Sequence, residues 1–205
     1  SSEKSVVGAR PMQLAGLIRA STVTAAGLAD YLDALPTDVR LEQTLALGSA
    51  EQALLFEIVA RARRFTLEDL APAGTPPLQP VRHEGRNSMY AFTRFAKLFA
   101  VPDEPAVKAT ERWGYNDGSA LVLTTVGPGY FVTVQQGDEV LVDYTRLPPR
   151  PLTGAPPILS NSSRLSFFVF NQTKDVVRGV SKHVSIGRAW RGTRQLDNWF
   201  VLCRT

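Results

Sequence analysis

The apolar period of this chain changes near its middle, and that change limits the folds open to it. Up to about residue 102 hydrophobic side chains recur at helical spacing, and from about Trp113 they alternate. Pro11 suits a first helical turn carrying Leu14, Leu17 and Ile18. Thr24 caps a second helix with Leu28, Tyr31, Leu32 and Leu35, stopped by Pro36. Asp38 caps a third, with Leu41 and Leu45 inward and Gly48 at its end. Ser49-Ala50-Glu51-Gln52 reads as a capping box ahead of the stripe Leu54, Leu55, Ile58, Val59 and Ala62. Thr66–Asp69 opens one more turn. Asn87 or Ser88 would cap a helix bearing Met89, Phe92, Phe95, Ala96 and Phe99, ending near Pro102.

In the second half, Leu121-Val122-Leu123 and Tyr130-Phe131-Val132 flank the turn signal Gly127-Pro128-Gly129. Gln136-Gly137-Asp138 makes another turn before Val140–Tyr144. Ser162 or Ser163 would cap a long helix to about Val184, with Leu165, Val169, Val176 and Val180 inward. A last hairpin pairs Val184–Trp190 with Trp199–Arg204. Two proline-rich stretches, 72–80 and 147–158, cannot be helical and read as linkers or straps. The expected fold is therefore α+β: an N-terminal helical part, residues 1–102, followed by an antiparallel sheet crossed by one long helix, residues 103–205. The two parts are expected to fold as one cooperative unit.

At 205 residues, with 44% hydrophobic and 20% charged side chains, the composition is that of a globular chain with a substantial core. No apolar run reaches the roughly 18 residues of a membrane-spanning helix. One cysteine, Cys203, excludes an internal disulfide and fits a reducing compartment, so a cytoplasmic location is expected. The chain opens Ser1-Ser2-Glu3-Lys4, with no signal-peptide pattern and no initiator Met, which leaves an upstream segment open.

Charge is unevenly divided. From Arg146 onward there are ten basic and two acidic residues, against 13 and 17 before it. On the expected helix Lys174, Arg178 and Lys182 align at i, i+4 and i+8, and Arg188, Arg191 and Arg194 follow on the hairpin. Such a face could bind an anionic partner or nucleic acid. It could equally be the solvated side of a surface helix, and an arginine-rich, bacterial-type composition arises without function. No nucleic-acid-binding signature accompanies it.

His83 and His183 are the only histidines. His83, beside Glu84, could act as a general base, but no partner can be placed from sequence. Two His and one Cys are too few for a His/Cys structural zinc site, so neither metal nor cofactor is expected. Cys203 shares a strand face with Trp199 and Val201, which predicts a packed, inert thiol. Gly127–Gly129 leads into strand rather than helix, so it is a turn and not a phosphate cradle.

The order of elements in residues 113–205 resembles the small-molecule-sensing modules of the vinyl-reductase-like and haem–nitric-oxide-binding-like type. The likeness rests on Gly127-Pro128-Gly129, Tyr144-Thr145-Arg146-Leu147-Pro148, the helix near Ser163–Val184 and the end strand Trp199–Arg204. It implies a pocket between helices and sheet. Neither histidine sits where an axial haem ligand would, so haem is not implied.

These observations lead to a non-enzymatic ligand-sensing or interaction module, its apolar small-molecule pocket lined by Phe92, Phe95, Tyr130 and Phe168 with Arg146 at a polar rim. An anion or nucleic-acid binder using the six C-terminal cations is the second reading. An enzyme with a histidine base is the third.

Overall fold

The computed structural model describes residues 13–60, 62–89, 93–118, 128–158 and 173–205. Among the described residues five helices come first: α1 (Leu14–Arg19), α2 (Ala25–Ala34), α3 (Thr37–Ala46), α4 (Ser49–Ile58) and α5 (Leu67–Leu70). Eight strands follow: β1 (Val81–Asn87), β2 (Arg94–Ala100), β3 (Glu111–Asp117), β4 (Tyr130–Gln136), β5 (Glu139–Asp143), β6 (Thr173–Gly179), β7 (Val184–Arg191) and β8 (Arg194–Arg204). Each pairs antiparallel with the next, and β8 pairs back onto β1, so the sheet closes into a barrel.

This corrects the expected α+β arrangement of an open sheet crossed by a long helix. Of the span 163–184, Thr173–Gly179 is strand β6, and 163–172 lie outside the described residues. The helix expected over 87–99 is strand β2 from Arg94 onward. Both errors have one cause. A half-buried strand is recognised by apolar and polar residues on opposite faces, and here polar residues sit on the inner face. Lys97 lies inside between Phe95 and Phe99, and Asp175 lies inside beside Val177. Residues 81–100 therefore belong to the barrel and not to the helical part.

The register fixes what faces the lumen. Phe95, Lys97 and Phe99 pair with Gly85, His83 and Val81 on one side, and Lys97 and Phe99 with Asn116 and Gly114 on the other. Phe131 and Thr133, Val140 and Val142, Asp175 and Val177, Ser185 and Gly187, and Phe200 and Leu202 continue the inner face. An eight-stranded barrel has an interior that side chains can just fill. Here three lumen glycines each face a phenylalanine on the adjacent strand: Gly85 with Phe95, Gly114 with Phe131 and Gly187 with Phe200. Each ring lies over the bare backbone opposite, which lets four large rings (with Phe99) share one lumen.

One end of the barrel is plugged. Phe65, Leu67 and Leu70 of the α5 region pack on Phe99, Val140, Val177 and Leu202. The Phe65 N–H donates to Asp138 O at 2.8 Å, and the Asp69 carboxylate accepts from Thr66 N–H at 2.8 Å and pairs with Arg63 at 2.6 Å. Outside the barrel, α1–α4 cover β7 and β8 through Leu28, Leu32, Leu55 and Phe56 on Val184, Ile186, Val201 and Cys203. The outer face of β2–β4, with Leu98, Trp113 and Tyr130, is covered by Leu152, Ala155 and Ile158 of the second proline-rich stretch. The two proline-rich stretches are straps joined to one another, since Thr153 N–H donates to Leu78 O at 3.0 Å. No described helix is long and apolar enough to cross a membrane.

Local signals at the helix ends differ slightly from the expected ones. Thr24 does cap α2, accepting from Gly27 N–H at 3.1 Å. At α4 the Glu51 carboxylate reaches back to Gly48 N–H at 2.9 Å, whereas Gln52 is buried and donates to Leu47 O at 3.0 Å.

Candidate functional site

The polar centre of the lumen lies toward the end away from α5. Lys97 of β2 is 2% exposed, and its ammonium donates to Asn116 Oδ1 of β3 at 2.9 Å and to the Tyr144 hydroxyl. Asp175 Oδ2 of β6 stands 3.2 Å from Lys97 Nζ. The Tyr144 hydroxyl donates to Asp175 Oδ2 at 3.2 Å and accepts from Asn116 Nδ2 at 3.1 Å. Four rings surround Nζ: Tyr144 and Phe200 with centroids at 4.9 Å, Phe131 at 5.2 Å and Phe95 at 5.6 Å. Lys97, Asn116, Tyr144 and Asp175 thus form a hydrogen-bonded quartet beside aromatic walls, and Asn116, half-buried, also donates to Gly129 O at 3.4 Å.

Burial dominates the electrostatics. It pulls the Lys97 ammonium below its ordinary range against the pull of Asp175. It pushes the Asp175 carboxyl up, against Lys97, and the Tyr144 phenol well up. All three shifts favour neutral forms, as expected where water cannot solvate charge. A buried ion pair of this kind rarely adds stability over apolar packing.

Three further lumen-facing polar atoms have no hydrogen-bond partner among the described residues: His83 Nδ1, Thr133 Oγ1 and Ser185 Oγ. His83 is 2% exposed, and its Nε2–H donates to Leu70 O at 2.8 Å, which leaves Nδ1 as an acceptor. Burial, with Arg204 and His183 nearby, holds its pKa down at about 4. Glu84 points the other way, outside the barrel, and pairs with Arg82 at 2.5 Å. His83 and Glu84 therefore do not form a tuned His–carboxylate base. His183 lies in the β6–β7 turn with its N–H on Ser181 Oγ at 3.3 Å.

Of the residues expected to line one pocket, the three described ones are not brought together. Phe92 and Phe168 lie outside the described residues. Phe95 faces the lumen, but Tyr130 faces outward under the second strap, where its hydroxyl donates to Pro156 O. Arg146 is exposed and pairs with Glu111 at 2.5 Å.

Nor do the six cations share a helix face. Lys174 and Arg178 are on the outer face of β6, and each is matched by an acid of β5: Lys174 with Asp143 at 3.0 Å and Arg178 with Glu139 at 2.5 Å. Arg178 also donates to Phe56 O at 2.8 Å and stacks on the Phe56 ring at 3.8 Å. Arg188 pairs with Asp197 at 2.9 Å and lies over Trp199. The Lys182 N–H meets Asp33 Oδ1 at 3.1 Å, and Arg191 and Arg194 sit exposed at the β7–β8 turn. The charge excess of the C-terminal third is thus partly answered by acids from elsewhere in the chain.

Cys203 is buried between β8 and the helices, and burial raises its thiol pKa. A surface groove of about 510 Å³ runs between α5 and β3–β4. Its Arg112 is held by Glu68 at 3.3 Å and by Ala71 O at 2.8 Å. Among the described residues no group of three His, Cys, Asp or Glu side chains could hold a metal ion.

No family model, curated protein or solved structure matches this chain. The likeness drawn from residues 113–205 therefore stands on those residues alone, and part of the helix it used is strand β6. Sequence reasoning missed Lys97, Asn116 and Asp175. The signal for the first was available: a single lysine inside Phe95-Ala96-Lys97-Leu98-Phe99.

Proposed function

We propose that the protein is a non-enzymatic binding module whose barrel lumen takes a small, mostly apolar molecule carrying hydroxyl or carbonyl oxygen. The observation that supports this reading is the set of lumen atoms without a partner among the described residues, His83 Nδ1, Thr133 Oγ1 and Ser185 Oγ. A buried polar atom without a partner costs on the order of 1–3 kcal/mol, and a guest with matching atoms recovers that cost. Phe95, Phe99, Phe131 and Phe200 supply the apolar wall such a molecule needs. This keeps the ligand-binding expectation and changes its lining residues.

The test is a melting-temperature screen against small hydroxylated and carbonyl-bearing apolar compounds. A binder at free concentration L stabilises the fold by RT ln(1 + L/Kd), so the melting temperature rises with ligand concentration. The shift should vanish in a Thr133→Val/Ser185→Ala variant that still melts cooperatively. A full screen without a shift, or a shift that persists in that variant, removes the proposal.

A further inference from the structure

Lys97, Tyr144 and Asp175 of the quartet are buried and Asn116 is half-buried, and the hydrogen bonds among the four suit a use within the chain itself. It brings into contact a primary amine, a carboxamide, a carboxyl group and a phenol, with four aromatic rings around the amine. Lys97 and Asn116 are direct cross-strand partners of β2 and β3. We propose that Lys97 Nζ condenses with the side-chain carboxamide of Asn116 to form an intrachain amide bond, with release of ammonia.

Every component of that reaction is present. The Lys97 ammonium gives one proton to Asp175 and becomes a neutral amine. Its lone pair attacks Asn116 Cγ, bonded to the Oδ1 atom that Nζ already contacts at 2.9 Å. Asp175 passes its proton through the Tyr144 hydroxyl to Asn116 Nδ2. That hydroxyl is 3.2 Å from Asp175 Oδ2 and 3.1 Å from Nδ2, so it lies on the path from acid to leaving group. The Cγ–Nδ2 bond breaks, ammonia departs, and the proton made acidic by the new Cγ–Nζ bond returns to Asp175. One amine and one carboxamide become one secondary amide and ammonia, and no oxidant or reductant is needed.

The surroundings favour this course. Burial moves both Lys97 and Asp175 toward the neutral forms that the attack requires. Holding amine and carboxamide in contact replaces an encounter with an effective concentration far above any in solution. Asn116, and not Asp175, is the acyl partner. Attack on Asp175 would consume the carboxyl group that moves the proton, whereas attack on Asn116 leaves it free and places Tyr144 at the leaving nitrogen.

The experiment is the intact mass of the purified full chain, measured unfolded, followed by fragmentation. The expected mass is below the sequence mass by one ammonia. Residues 97 and 116 should be recovered in one branched peptide, with no tryptic cleavage after Lys97. Lys97→Arg and Asp175→Asn should each show the full sequence mass, with cooperative melting confirming that the variant has folded. A wild-type chain at full mass after long incubation at neutral pH overturns the proposal. So does loss of one water with Asp175 in the branch. If neither variant folds, the wild-type mass alone decides. The readout needs no ligand, so its failure and the failure of the ligand proposal are separate results.

Discussion

Gly114 and Phe131 face each other across β3 and β4, and a Cβ on Gly114 would stand 2.3 Å from Phe131 Cε2 and 2.4 Å from the Leu98 carbonyl oxygen. The ring could turn aside, but the carbonyl belongs to the sheet and cannot. Gly114→Ala is therefore an overpacking change in a closed barrel. It should cost at least the upper part of the usual range of about 1–3 kcal/mol. Urea unfolding should show a lowered midpoint with an unchanged slope. An unchanged midpoint would mean that the lumen is looser than these contacts imply.

His83 gives the barrel a pH dependence of known sign. Its pKa is about 4 in the fold against an ordinary 6.5, so between these values the unfolded chain binds more protons. Stability is complete above about pH 6.5 and is lost as the pH falls toward 4, by about 3 kcal/mol in all. His83→Gln keeps an N–H donor for Leu70 O but cannot titrate. Denaturant midpoints between pH 4 and pH 6.5 should slope upward in the wild type and less steeply in the variant, where His183, whose pKa burial also lowers, still titrates. Parallel slopes in the two proteins would show that another group carries the effect.

How much of this was legible follows from where polar residues sit. The helices that cover the barrel show an ordinary stripe, and Leu28, Leu32, Leu55 and Val59 are buried as their spacing predicts. The last hairpin was also readable, with Val184 paired to Cys203. Strands β2 and β6 were not, because Lys97 and Asp175 occupy inner-face positions and break the alternation on which a strand is recognised. Closure itself leaves no local mark. The pairing of β8 with β1 joins residues more than a hundred positions apart, and no spacing rule reaches that far. The quartet was hidden for the same reason, since its members come from β2, β3, the end of β5 and β6.

The C-terminal cations differ in how deeply they are held, and substitution should separate Arg178 from Arg194. Arg178 holds Glu139, the Phe56 carbonyl and the Phe56 ring, and so ties β6 to β5 and to α4. Arg178→Ala should cost about 1.5–3 kcal/mol, the usual value of a charged hydrogen bond lost at a half-buried site. Arg194, exposed at the start of β8, should tolerate alanine within about 0.5 kcal/mol. Denaturation of the two variants side by side checks this. Equal, negligible costs would return Arg178 to the set of cations available for an anionic partner.

The second proline-rich strap should come away without the barrel. It is held by Leu152, 2% exposed against the outer face of β2–β4, by Thr153 N–H on Leu78 O at 3.0 Å and by the Tyr130 hydroxyl on Pro156 O. Ala155 and Ile158 pack beside that leucine, and the prolines contribute no N–H donors to a ladder. Removing the leucine side chain takes away its main apolar anchor, while the eight-stranded ring remains closed by its own pairing. Local opening then costs less than global unfolding. Leu152→Ala should therefore make residues 147–158 cleavable by protease under native conditions, while amides of β2, β3 and β4 keep slow hydrogen exchange. Joint loss of protection in strap and strands would show that the strap is part of the cooperative core.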